Sequence, residues 1–156
     1  MHAGVGALKC RLVADVARTF GQVRLRVTGS SMLPSLWPGD VLTVRRRAMR
    51  ELRPGEILLW HREGQLWAHR IIRHHHDHVV TRGDALLHDD APVWEHEIVG
   101  AVVAVMRQRQ AVRLPWRRRQ RIVSYLLRHC ESAALLLLRL GTLRRRLAPE
   151  ETACSE

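Results

Sequence analysis

Between residues 22 and 106 the chain is cut into short apolar segments by turn-forming Gly and Pro pairs, and this punctuation limits the fold more than any other feature. Residues 22–28 alternate, with Val23, Leu25 and Val27 on one side and Arg24, Arg26 and Thr28 on the other, the period of a half-buried strand. Residues 41–44, 56–60, 65–72, 78–81 and 98–106 are further strand segments. The turns between them are Pro38-Gly39-Asp40, Pro54-Gly55-Glu56, Glu63-Gly64 and Arg82-Gly83-Asp84. Six short strands so spaced predict an all-β body of about 85 residues. Upstream, Val5, Leu8, Leu12, Val13 and Val16 recur at helical spacing, which predicts a short amphipathic N-terminal helix with these side chains near one face.

After Met106 the strand signal stops. Leu114-Pro115-Trp116 marks a break, and residues 117–146 read as one or two helices. Ile122, Tyr125, Leu126 and His129 share one face there, and Leu135 and Leu138 another. The expected organisation is a helix over residues 1–20, a β domain over 21–106, a basic helical appendage over 107–147 and a flexible tail over 148–156.

Charge supports that division. Residues 1–106 hold 14 basic and 11 acidic side chains, a net of +3, whereas residues 107–146 hold 12 arginines against Glu131 alone, a net of +11. The stretch from Arg107 to Arg146 could face an anionic membrane surface or a partner protein, or be a packed helix with a solvated basic face. Trp116 and Tyr125 are its only aromatics and no helix-turn-helix pattern stands out, which argues against nucleic acid. The longest apolar run, residues 132–138, is far short of the roughly 20 residues a helical span requires. The expectation is a cytoplasmic protein with no transmembrane helix of its own, able to lie peripherally at a membrane.

Cys10, Cys130 and Cys154 are few and widely spaced, which argues against a disulfide scaffold or structural zinc. His74-His75-His76-Asp77-His78 invites a metal reading, but neighbours in a strand point to opposite faces, and the run falls where a hairpin tip is expected. No functional metal and no cofactor is predicted.

The segment with the densest chemical signal runs from Thr28 to Asp40. It follows a strand and packs small residues and turn formers around Ser30 and Ser31, a setting that exposes a serine hydroxyl beside backbone N–H groups. Alone it would be an ordinary Ser/Pro turn. Gly29-Ser30-Ser31-Met32-Leu33-Pro34, with Gly39-Asp40 five residues on, resembles the nucleophile box of the superfamily that holds signal peptidase I and the self-cleaving LexA-like repressors. Further boxes follow in that superfamily's order: Pro54-Gly55-Glu56-Ile57-Leu58-Leu59-Trp60, Ala68-His69-Arg70-Ile71-Ile72, Thr81-Arg82-Gly83-Asp84 with Asp89-Asp90, and Ile98-Val99-Gly100.

The resemblance implies a mostly-β, partly closed barrel. It also implies Ser31 as nucleophile, within a loop where Gly29, Ser30, Met32 and Pro34 shape the oxyanion site. Many relatives use a buried lysine as base, yet this chain has no lysine after Lys9. The matching position is His69, as in the endoplasmic-reticulum and archaeal signal peptidases, and histidine suits a general base with little tuning. A carboxylate that orients it is then expected. Asp90 fills that place by resemblance, with Asp84 in reserve. Many signal peptidases carry a serine where Gly29 stands and the repressors carry glycine, so backbone N–H groups would carry more of the oxyanion. The implied function is a serine endopeptidase that cleaves a polypeptide or leader peptide after small residues. The alternatives are a self-cleaving regulator and a catalytically inactive peptide- or membrane-binding module.

Overall fold

The computed structural model describes residues 2–112. Helix α1 (His2–Phe20) leads into strands β1 (Gln22–Arg26), β2 (Val41–Arg45), β3 (Ile57–Arg62), β4 (Gln65–His74), β5 (His78–Arg82), β6 (Val93–Trp94), β7 (Ile98–Arg107) and β8 (Gln110–Val112). Every pairing is antiparallel. The path runs β1-β2-β7-β3-β4-β5-β6, with β8 added beside β7, and β1 does not meet β6, so the sheet is not closed into a barrel. Register shifts at Thr43/Val44, Leu59/Trp60 and Ile71/Arg73 bend it.

Two apolar clusters lie on opposite sides of the central strand. In β3, Ile57 and Leu59 join a core with Leu36, Leu42, Val44 and Val105, while Leu58 and Trp60 join another with Ile71, Val79 and Val93. A strand covered on both faces needs no polar alternation, which is why residues 57–60 read Ile-Leu-Leu-Trp. The edge strand β1 alternates as expected and buries only Val23 outright.

The helix is present, but the face it buries differs from the expected one. Cys10, Val13 and Ala17 pack inward, whereas Leu8, Leu12, Val16 and Phe20 point outward. Small residues at these inward positions let the helix lie close to the sheet; a Cβ on Gly6 would meet the Gly64 carbonyl oxygen at 2.6 Å. Two further differences concern strands. β6 is only two residues long and carried no periodic signal. Residues 107–112, expected to open the basic appendage, instead complete β7 and form β8. The remaining appendage and the tail lie outside the described residues. Among the described residues, no helix is long and apolar enough to cross a membrane.

Arg62 and Glu97 tie β3 to the turn before β7 through two contacts of 2.6 and 2.7 Å. The Arg62 hydrogen bond holds the buried Glu97 carboxyl below its usual range. A lowered native pKa contributes stability that is full above the unfolded value, about 4.5, and is lost as pH falls through the native value. Glu97→Gln should therefore melt lower than wild type at about pH 7, and the difference should shrink at about pH 3, as thermal melts at both would show.

Candidate active site

The loop from β1 to β2 carries Ser31, and its frame explains how a polar loop is held still. Val27 donates to the Asp40 carbonyl at 2.8 Å and Gly39 donates back to Val27 at 2.7 Å, closing the base of the loop. The buried Asp40 carboxylate accepts the Trp37 backbone N–H at 2.8 Å and the Arg107 guanidinium at 2.8 and 2.7 Å. Met32, Leu33 and Leu36 are buried and anchor the loop in the core. The Leu33 N–H reaches the Ser30 carbonyl at 3.1 Å, and the Trp37 indole reaches the Pro34 carbonyl at 3.0 Å.

Ser31 is also held from the opposite side. Its carbonyl accepts the Ala85 N–H at 2.9 Å, and Gly83 lies so close that an added Cβ would sit 2.6 Å from the same oxygen. Gly83→Ala should therefore push the Ser31 segment away. An expected outcome is at least a tenfold loss of Ser31 reactivity, on the order of what an ångström of misplacement costs, readable as the rate of labelling by a serine-directed reagent.

His69 sits on β4 opposite Leu58 of β3 and is 1% exposed. Its Nε2 is 3.0 Å from Ser31 Oγ, and its Nδ1 is 2.7 Å from Asp90 Oδ2. The same Asp90 oxygen accepts the Thr81 hydroxyl at 2.6 Å, and the Asp90 N–H donates to the Thr81 carbonyl at 2.8 Å. Donation from Nδ1–H to Asp90 leaves the lone pair of Nε2 facing the serine hydroxyl, the tautomer a general base needs. The rings of Trp67 and Trp60 flank His69 at 5.6 and 6.4 Å.

Asp84 lies elsewhere. Its carboxylate is taken by Arg70, through contacts of 2.8 and 2.7 Å, and by the Ser35 hydroxyl. Asp89, beside Asp90 in sequence, turns outward to Arg73 and Arg82. The four-histidine run does form the β4–β5 tip, where His74 Nε2 contacts the Met49 carbonyl and His78 pairs with Asp77. Among the described residues, no group of three or more His, Cys, Asp or Glu side chains is placed to hold a metal ion.

Thr81 and Arg107 carry no site signal of their own in the sequence: Thr81 heads the acidic box and Arg107 reads as the start of the arginine-rich segment. A family model described as Peptidase S24-like matches residues 11–103. The chain belongs to that family. No curated protein matches it. The S24-like match begins within α1 and takes in Ser31, His69, Asp84 and Asp90, but stops short of Arg107 and β8.

Proposed function

We propose that this S24-like protein is a serine endopeptidase of the Ser-His-Asp type, nearer in its catalytic set to the histidine-using signal peptidases than to the lysine-using members. The observation that carries this reading is the continuous chain of hydrogen bonds from Ser31 Oγ through both nitrogens of His69 to Asp90. The three residues are separated by 38 and 21 positions in sequence. A buried histidine needs a polar partner at each nitrogen; here the partners are a nucleophile and an acid.

In the reaction, Ser31 Oγ attacks the scissile carbonyl carbon while His69 Nε2 takes the hydroxyl proton. Asp90 stabilises the imidazolium so formed and keeps its ring in place. The Ser31 backbone N–H has no acceptor among the described residues and is available to the developing oxyanion. Collapse of the tetrahedral intermediate breaks the C–N bond, and His69 returns its proton to the leaving amine. Water, deprotonated by His69, then hydrolyses the acyl-enzyme and regenerates Ser31. Gly29, where an added Cβ would meet nothing within 4 Å, leaves open space next to the nucleophile, and Leu86 and Leu87 are partly exposed in the loop that holds the Ser31 carbonyl. Such a surface suits an extended polypeptide with small apolar side chains at the cleaved bond.

The test is hydrolysis of a mixed peptide pool by the full chain, with cleavage sites mapped by mass spectrometry. Wild type should cut after small residues, and Ser31→Ala and His69→Ala should not cut while keeping the wild-type circular dichroism. Fragments of the chain itself, formed by wild type alone, would place the same chemistry in a self-cleaving regulator. Equal cleavage by all three proteins would overturn the reading.

A further inference from the structure

The proposed catalytic chain does not end in solvent at Asp90. It opens onto a cleft of about 290 Å³, lined by Trp60 and Arg62 of β3, Glu63 at the hairpin turn, Gln65 and Trp67 of β4, and Asp90 with Ala91. The peptide reaction above uses only Asp90 of this group. We propose that this cleft is a specificity subsite that takes the cationic side chain of an arginine or lysine in the polypeptide substrate. The inference rests on the peptidase reading for its substrate class but on separate residues for its chemistry.

The walls are aromatic. Trp60 and Trp67 stack at 6.0 Å with an interplanar angle of 24°, and Trp67 remains 37% exposed. A guanidinium is already shown to suit this surface, since Arg62 lies 5.1 Å from the centre of the Trp60 ring. That Arg62 is paired with Glu97: its Nε and Nη2 donate to the two Glu97 oxygens, and Nη2 also to the Pro92 carbonyl at 2.7 Å.

With Arg62 neutralised by Glu97, the charge left over is negative. Asp90 and Glu63 are the other carboxylates of the cleft, and Glu63 forms no ion pair among the described residues. The field acts on the cation already there: the Arg62 pKa is raised, first by its hydrogen bond to Glu97 and also by the charges of Glu97, Glu63 and Asp90. Aromatic faces with unneutralised carboxylates at the rim select a cation and repel an acid.

Location fixes which substrate residue is read. Trp67 is 5.6 Å from His69, which is 3.0 Å from Ser31, so at about 3.3 Å per extended residue the cation belongs two or three positions from the scissile bond. The arginine can come from another polypeptide or from residues 107–146 of this chain, which carry 12 arginines.

The experiment uses alanine octapeptides with a single arginine at each position in turn, against the same peptides with citrulline, which keeps the shape and lacks the charge. Binding to the full-length Ser31→Ala protein is followed by the indole N–H resonances of Trp60 and Trp67. At the best position arginine should bind at least about fivefold more tightly than citrulline and shift both resonances. Glu63→Gln, at an exposed turn, should cut that ratio by about half, and Trp67→Leu should bring it near one.

Equal affinity for arginine and citrulline, or a preference unaffected by both substitutions, would overturn the inference. Because the nucleophile is absent from this protein, the result stands whether or not wild type cleaves anything. Cleavage by wild type with no arginine preference in binding would sink the subsite and leave the peptidase; arginine-selective binding without Ser31-dependent cleavage would do the reverse. Once arginine is preferred in binding, cleavage of the added peptides places it in trans, and Ser31-dependent cuts within residues 107–146 place it in cis.

Discussion

Asp90→Asn should fold like wild type and lose about 10³- to 10⁴-fold in kcat on any peptide the protein cleaves. Among the described residues the carboxylate is the one partner of His69 Nδ1, at 2.7 Å, and it is fixed in turn by Thr81 at 2.6 Å. Thr81 and His69 share one Asp90 oxygen, and asparagine can put either of its groups there. Its carbonyl oxygen keeps both bonds but carries no charge to stabilise the imidazolium, and its NH₂ group makes the imidazole accept at Nδ1 and meet the Ser31 hydroxyl as a donor; either arrangement removes the base. The position is partly solvent-accessible and the substitution is isosteric, so the melting temperature should move by no more than a few degrees. Kinetics of purified wild type and variant, with thermal melts of both, check the two halves. A loss under tenfold would remove Asp90 from the proposed mechanism.

Asp84→Ala should behave in the opposite way. It belongs to the same acidic stretch, yet its carboxylate neutralises Arg70 and accepts the Ser35 hydroxyl where side chains are 13% and 7% exposed. Removing it leaves a guanidinium largely buried with, among the described residues, the Gly55 carbonyl and the Ser35 oxygen as its acceptors. Breaking one side of such a pair costs about 3–5 kcal/mol, which for a domain of this size lowers the melting temperature by more than about 10 °C. His69, Ser31 and Asp90 are not touched directly, so the fraction that stays folded at low temperature should retain its reactivity. Differential scanning calorimetry reads the first effect and active-site labelling at about 10 °C the second. Wild-type stability in Asp84→Ala would show that Arg70 finds another partner.

These two acids mark where the sequence stops being legible. The strands bounded by Gly turns could be read because a glycine at positive φ, as at Gly39, Gly55 and Gly64, leaves a trace in the chain. The β7–β8 turn leaves none: Gln108 and Arg109 adopt φ of 48° and 63° without a glycine, so the added strand was hidden in what looked like a basic appendage. The same lapse concealed Arg107, whose charge reads as part of an arginine run and whose partner, Asp40, is 67 positions away.

The helix illustrates a different gap. Periodicity finds an amphipathic helix but favours the largest side chains for the buried face. In this chain close packing selects Cys10, Val13 and Ala17 and leaves Leu8, Leu12 and Phe20 outside. For the site, the order of the boxes pointed to Ser31 and His69, since each lies in a short stretch with few competitors. Resemblance already prefers Asp90 to Asp84; what the sequence does not show is why Asp84 is occupied elsewhere, since a carboxylate's role depends on which cation or donor reaches it in space, here Arg70 and Ser35.

The account turns on one claim, that Ser31 is activated by His69. The most direct measurement is intact-mass analysis of the full chain after treatment with a serine-reactive acylating probe, run beside Ser31→Ala and His69→Ala. A single adduct on wild type, absent from both variants, is the predicted result. No adduct on wild type, or an adduct of equal yield on Ser31→Ala, would contradict it.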